Sequence, residues 1–357
     1  MSAKTSVTAD LASLGTWVSQ QHAAGVFSGV VLVAQDARPV FQMAVGLADR
    51  ASGVANTIET RFNVGSINKT FTSVAVAQLV EAGQLDFDAP IGTYLPDYPN
   101  RDAARTITIH QLLTHQAGLP PYLSARYMRE RDRVDTLDQL VRVFASEPLQ
   151  FEPGSRQEYS NSGFVLLGHI VGKVSGEPYE TYLKIQIYDP ARMSQTGFEP
   201  GGATGAAKGY VAVGPDGRPA MFRGPTAVVT RPDDLKENTA LLDRGNPAGG
   251  GYSTARDLLA FAQALKTGKL LGHAMTDHIL NGTFSGKQRP KYGYALREHV
   301  VGGRRFVGNG GGAPGINSEF RFEPDGDYNI IVLSNLSPPS ATTVLEHVLE
   351  AVGALVF

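Results

Sequence analysis

Ser66 and Lys69 stand three residues apart in the stretch Phe62-Asn63-Val64-Gly65-Ser66-Ile67-Asn68-Lys69-Thr70-Phe71. The residues that follow, Thr70 to Ala82, place Phe71, Val74, Leu79 and Val80 at helical spacing with alanines between them, which predicts a helix. Positions three apart share a helix face, so the Ser66 hydroxyl and the Lys69 amine can meet. Such a pair can act as nucleophile and base if burial or nearby positive charge keeps the amine neutral near pH 7. The same residues also suit a serine helix cap followed by a surface lysine. Partners from elsewhere in the chain must decide between the two.

Two further stretches offer partners. Glu158-Tyr159-Ser160-Asn161-Ser162 precedes a run with helical periodicity. A tyrosine beside a cation can relay protons, and an asparagine can bridge a lysine and a substrate ester or amide. A helix cap at Ser160 or Asn161 is the plainer alternative. The segment Asn309-Gly310-Gly311-Gly312-Ala313-Pro314-Gly315 lies between two strand-like runs. Its glycines let a substrate approach the backbone, whose N–H groups can supply half of an oxyanion hole. A hairpin loop is the alternative. Neither this cluster nor Gly249-Gly250-Gly251 continues into Gly-Lys-Ser/Thr, so a phosphate loop is not expected.

The elements that must hold these groups are legible in outline. Residues 6 to 24 read as an amphipathic helix through Val7, Leu11, Leu14 and Val18. Gly29 to Ala34 and Val40 to Gly46 read as a hairpin. From Gly83 to about Gly201 strand signals are scarce, and helices are predicted at Thr108–His115, Leu137–Ser146, Ser162–Ser175 and Tyr179–Tyr188. Gly209–Val213 and Ala220–Phe222 suggest a second hairpin, and Thr254 caps a helix running through Leu265. Tyr292–Leu296, Arg304–Val307, Ile316–Phe322 and Tyr328–Leu333 read as strands, and 341–356 as a closing helix. The expected fold is therefore α/β of the α+β kind. One antiparallel sheet is built from both ends of the chain, flanked by the N- and C-terminal helices, with a mainly helical inserted subdomain. We read 1–357 as a single catalytic unit, with 1–75 and 245–357 forming the α/β subdomain and 76–244 the insertion.

Composition narrows the function. A chain of 357 residues with 42% hydrophobic and 18% charged residues can bury a large core, as soluble globular proteins do. A net charge of −2 gives no reason to expect nucleic acid or a membrane surface as partner. Cysteine is absent, which removes disulfides, iron–sulfur clusters and a thiol nucleophile. No apolar run has the length of a membrane span, and the amino terminus lacks an apolar signal core. A cytoplasmic protein is expected, or a periplasmic or secreted one in its mature form. His110, His115, His273 and His278 lack converging ligand spacing, and the Asp86/Asp88 and Asp325/Asp327 pairs read as turns. No metal and no cofactor are expected. Tyr122 and Tyr127 follow Pro120-Pro121 and either line an acyl pocket or pack on the surface.

Ser66-Ile67-Asn68-Lys69, then Tyr159-Ser160-Asn161, then the glycine-rich stretch at Asn309, in this order and spacing, resemble the serine β-lactamase and penicillin-binding-protein superfamily. The resemblance is to class C β-lactamases and their esterase and D-aminopeptidase relatives, and it extends from about residue 10 to the C-terminus. Ile107 to Leu119 and Gly249 to Leu258 carry it further. It implies a β-lactamase/transpeptidase-like fold and an acyl-enzyme on Ser66. Lys69 would deprotonate Ser66 or hold Tyr159 in a low-pKa state. Tyr159 would pass a proton to the leaving group and later activate the deacylating water, and Asn161 would orient Lys69 and contact the acyl side chain. The N–H groups of Ser66 and Gly312 would form the oxyanion hole, with Asn309 beside it as a substrate-binding residue. One position departs from the pattern: Asn309 stands where the superfamily usually has lysine or histidine. A neutral amide offers no charge to Tyr159 or to a substrate carboxylate. The resemblance thus implies a small carboxylic ester or amide as substrate, ahead of β-lactam hydrolysis, D-amino-acid peptidase activity or acyl transfer. A penicillin-binding sensor that has lost turnover is the reading from another class.

Overall fold

The computed structural model of the chain describes residues 2–198, 205–212, 235–239, 245–283 and 291–354. Its centre is a six-stranded antiparallel sheet. The strands are β1 (Gly29–Gln35), β2 (Arg38–Val45), β3 (Arg297–Val301), β4 (Arg304–Ala313), β5 (Ile316–Phe322) and β6 (Tyr328–Ser334). They lie in the order β2-β1-β6-β5-β4-β3. First and last strands of the chain thus meet at the middle, where Gly29 pairs with Ser334 and Gln35 with Tyr328.

Strand alternation divides the interior into two cores. Val30, Leu32 and Ala34 of β1 point to one side with Ile331 and Leu333 of β6. Val31 and Val33 point to the other with Ile330 and Val332. The second core is closed by α1 (Ser2–Ala23), through Leu14 and Val18, and by α5 (Ser340–Gly353), through Val344, Val348 and Val352. A sheet covered on both faces needs strands without exposed polar positions, and β5 and β6 are buried throughout.

The first core continues into the helical region. At its heart is α2 (Asn68–Glu81), buried on nearly every side. A helix covered all round cannot carry a polar stripe, and α2 instead carries alanines, valines, threonines and Phe71. Gly83, with φ +70°, ends it in the left-handed conformation. Beside α2 lies α3 (Asn161–Ser175), capped by Ser160, whose hydroxyl accepts from the Gly163 N–H, and stopped by Gly176 at φ +75°. Beyond it α4 (Ala255–Lys266), capped by Thr254, returns the chain to the sheet.

Two sequence expectations are revised, one falls partly outside the described residues, and one pair of alternatives is decided. Tyr292–Leu296 is not a strand: Ala295 turns left-handed at φ +59°, leaving a single bridge from Tyr292 to Arg297, where β3 begins. Tyr210–Ala212 pairs with Leu235–Glu237, whereas the expected partner, Ala220–Phe222, lies outside the described residues. The helix starting at Tyr179 is α-helical only to Leu183 and then widens into a π-turn over Lys184–Tyr188. Finally, the glycine-rich stretch is no loop. Asn309–Ala313 extends β4 and pairs with β5 as far as Ala313–Ile316. Glycine runs read as turns on intrinsic preference, but here pairing and close docking override that preference.

Candidate active site

The open edge of β4 locates the site. Strand β3 pairs with Arg304–Gly308, so among the described residues Asn309–Ala313 has β5 on one side and no strand on the other. The tight 3-10 turn Gly65–Ile67, which leads into α2, docks on that edge. A Cβ at Gly311 would lie 2.1 Å from the Val64 carbonyl oxygen and 2.8 Å from the Ser66 nitrogen, so only glycine fits there. Gly65 needs φ +51°, and a Cβ on it would sit 3.3 Å from the Gly312 nitrogen. The backbone N–H groups of Ser66 and Gly312 are thereby brought to one small region.

Ser66 sits at the start of this buried helix with Lys69 one turn on. Lys69 is wholly buried (0% exposed). Its Nζ lies 3.0 Å from Ser66 Oγ and 2.8 Å from Asn161 Oδ1, and it also donates to the Ala248 carbonyl. Burial, reinforced by the positive charge of Arg297, holds its pKa well below that of a free lysine. Tyr159 places its hydroxyl 2.7 Å from Ser66 Oγ. The residue is 49% exposed, and Lys69 Nζ lies 4.9 Å from the ring centre. Desolvation raises the Tyr159 pKa, outweighing the Ser66 hydrogen bond and the Arg297 charge. Ser66, Lys69, Tyr159 and Asn161 are therefore one connected cluster.

Asn309 belongs to the site in a different way. It is 3% exposed, its Nδ2 donates to the Ser66 carbonyl at 3.0 Å, and its Oδ1 accepts from the Gly310 N–H at 2.9 Å. Both ends of the amide are used inside the protein, so Asn309 ties β4 to the nucleophile's backbone. The cation that reaches the cluster comes from Arg297, an exposed residue opposite Gly308 on the neighbouring strand. Its charge acts on Lys69, Tyr159, His115 and Tyr292.

Other groups were invisible as site residues in the sequence. Ala248 contributes only a backbone oxygen, for which no side chain gives a signal. Its loop is fixed by α2: Asn68 Nδ2 donates to the Asn246 carbonyl at 2.7 Å, and Thr72 Oγ1 to the Pro247 carbonyl at 2.7 Å. His115 is buried behind Tyr159, with ring centres 4.6 Å apart. Tyr122 and Tyr127 are both buried and pack edge to face at 5.6 Å, and the Tyr122 hydroxyl meets Asn246 Nδ2 at 3.3 Å. His110 bonds the Tyr294 hydroxyl at 2.7 Å, while His273 and His278 are exposed. Asp86 accepts from the Asp88 N–H, as a turn does. Among the described residues no group of histidines and carboxylates could hold a metal ion. Among them, too, no helix is long and apolar enough to cross a membrane.

A family model described as Beta-lactamase matches residues 14–353. PbpX of Bacillus subtilis (strain 168), which carries a penicillin-binding-protein name, is 31% identical over 310 residues, covering 87% of this chain and 71% of PbpX. Esterase EstB of Burkholderia gladioli is 35% identical over 182 residues, covering 47% of this chain and 46% of the esterase. Among solved structures, a penicillin binding protein from Bacillus halodurans superposes with a TM-score of 0.78 at 29% identity, over 94% of this chain and 98% of that one. D-amino acid amidase from Ochrobactrum anthropi SV3 shares the fold with a TM-score of 0.78 at 24% identity, over 98% of each chain.

Proposed function

The chain belongs to the beta-lactamase family, and from that membership we propose that it is a serine hydrolase which cleaves a small carboxylic ester or amide through an acyl-enzyme on Ser66. The observation that carries this reading is the hydrogen bonding of Lys69. A neutral amine has two N–H donors and one lone pair. Asn161 Oδ1 and the Ala248 carbonyl can only accept, so they take both donors. The lone pair is left facing Ser66 Oγ, and the depressed Lys69 pKa favours this neutral form. Ser66 O–H then donates to Lys69, and the phenol of Tyr159, kept protonated by its raised pKa, donates to Ser66 Oγ.

Proton flow follows from that arrangement. Ser66 Oγ attacks the carbonyl carbon while its proton passes to Lys69. The carbonyl oxygen takes the negative charge beneath the N–H groups of Ser66 and Gly312. As the carbon–oxygen or carbon–nitrogen bond breaks, the leaving group takes the Tyr159 proton, and the Lys69 ammonium makes that proton good. Water then adds to the acyl carbon, losing its proton to the same base, and Ser66 leaves with a proton. The sum is ester or amide plus water giving acid plus alcohol or amine. Lys69 is the base in this account, Tyr159 the proton donor, Asn161 the group that orients Lys69, and Asn309 the tie that holds the oxyanion strand.

A fluorophosphonate probe should add to Ser66, and p-nitrophenyl acetate and butyrate should be turned over. Ser66→Ala should lose both. A folded protein with neither adduct nor turnover contradicts the proposal. Acylation without release would instead indicate a sensor. Nitrocefin hydrolysis would widen the substrate to β-lactams, and transfer to an added alcohol would indicate an acyltransferase.

A further inference from the structure

We propose that His115 is a positioning residue for this reaction: together with Tyr292 it forms a buried brace that holds the Tyr159 hydroxyl on Ser66. The inference rests on the hydrolase reading above and adds a residue to it. Tyr159 needs such a brace because the residue is half exposed, and an exposed side chain exchanges rotamers readily. Its proton-donor role requires the hydroxyl to stay on Oγ.

The two neighbours of Tyr159 in the chain are both bonded to His115. The Glu158 N–H donates to the His115 carbonyl at 2.9 Å, and the Ser160 N–H to His115 Nδ1 at 3.2 Å. A backbone N–H can only donate, so Nδ1 carries no proton and the ring's proton is on Nε2. Nε2–H then donates to the Tyr292 hydroxyl at 2.9 Å, which fixes the tautomer from the other side. Ring centres lie 4.6 Å from Tyr159, 4.9 Å from Tyr292 and 5.2 Å from Phe164, so the imidazole cannot turn.

His115 also holds a backbone conformation with φ +59°. A non-glycine residue there is strained. Glycine or asparagine would relieve it, yet neither has a ring to place behind Tyr159. The imidazole must be neutral, because an imidazolium would have no lone pair for Ser160. Burial first, and the Arg297 charge after it, act against protonation, while the Ser160 hydrogen bond opposes them.

The test is a double-mutant cycle with His115→Asn and Tyr159→Phe, read by p-nitrophenyl butyrate turnover and by the rate of fluorophosphonate labelling of Ser66. Asparagine suits the left-handed backbone and keeps an acceptor for Ser160, so the variant should fold. We expect kcat to fall about 10–100-fold, as small misplacements of a reacting group do, with KM nearly unchanged. In the Tyr159→Phe background the same substitution should cost nothing further. Losses that multiply overturn the brace while leaving the hydrolase reading intact. A crystal structure of His115→Asn gives a readout independent of rate. A Tyr159 hydroxyl displaced from Ser66 Oγ supports the brace, and one retained at hydrogen-bond distance overturns it. A wild-type protein that is neither labelled at Ser66 nor active overturns the hydrolase reading and the brace together.

Discussion

At the scale of single residues, the chemistry turns on an uncharged lysine. Lys69 has its pKa lowered by burial first and by Arg297 second. An ammonium has no lone pair, so kcat/KM should fall as pH drops through the Lys69 pKa and recover above it. Tyr159, raised by desolvation, should remain a phenol through neutral pH and add no loss there. Lys69→Arg should cost about 10²–10⁴-fold in kcat at every accessible pH, the usual worth of a general base. A pH–rate profile of both proteins checks this, and a flat acid limb in the wild type would refute it. Ser66, Lys69, Tyr159 and Asn161 were readable from sequence because each carries a side chain with one obvious chemical use. The Ala248 oxygen was not, since every residue has a carbonyl. Nor was the fate of Asn309: an amide beside glycines reads as a substrate contact, and only packing shows both its ends already bonded. His115 reads in the sequence only as a histidine without converging ligands, and its strained backbone and its neighbours come from the fold.

At the scale of elements, the site exists because two of them dock without side chains between them. The turn before α2 lies against the open edge of β4 at Gly311. Gly311→Ala should push the two apart, lowering stability by about 1–3 kcal/mol as overpacking does. Its kcat should fall by about a hundredfold because the oxyanion donors move. Denaturant unfolding and kinetics on the same preparation check both, and an alanine variant with native kcat would show that the approach is looser than described. Thr72→Val tests the other contact of α2. It removes the bonds to the Pro247 carbonyl and the Tyr179 hydroxyl, so the loop bearing Ala248 should loosen and kcat should fall while KM changes little. The helices and outer strands were legible because their periodicity is strong. The extension of β4 through five residues of which three are glycine was not, because glycine's own preference points to a turn and the docking partner is about 240 residues away in sequence.

At the scale of the whole molecule, α2 is shared. It packs on α3 in the helical region and, through its leading turn, on the sheet. We propose on that ground that 1–75 with 245–357 and the insertion 76–244 unfold together. A single denaturation transition, coincident by fluorescence and far-UV circular dichroism, is expected, and two separated transitions would refute it. The same buried interior sets an acid limit. His110, His115, His169 and His299 all have pKa values lowered mainly by burial, His299 to about 4. A depressed folded-state pKa means the unfolded chain binds more protons between that value and 6.5. The histidines' contribution to stability should therefore be full above about pH 6.5, their ordinary value, and be lost as pH falls below it. Asp257, raised by burial, acts in the opposite sense in its own lower range. His115→Asn should flatten the acid slope in a series of unfolding titrations, and an unchanged slope would show that His115 does not contribute.

The central claim is that Ser66 carries the acyl group during turnover and that Lys69 puts it there. Rapid-quench mass spectrometry of the wild type and Lys69→Arg with p-nitrophenyl butyrate addresses it directly. In the wild type, one butyryl group should appear on the peptide containing Ser66 as nitrophenol is released, and it should vanish once the ester is consumed. In Lys69→Arg the group should accumulate slowly or not at all. Turnover of the ester with Ser66 unmodified throughout, or equal acylation of the two proteins, would contradict the account.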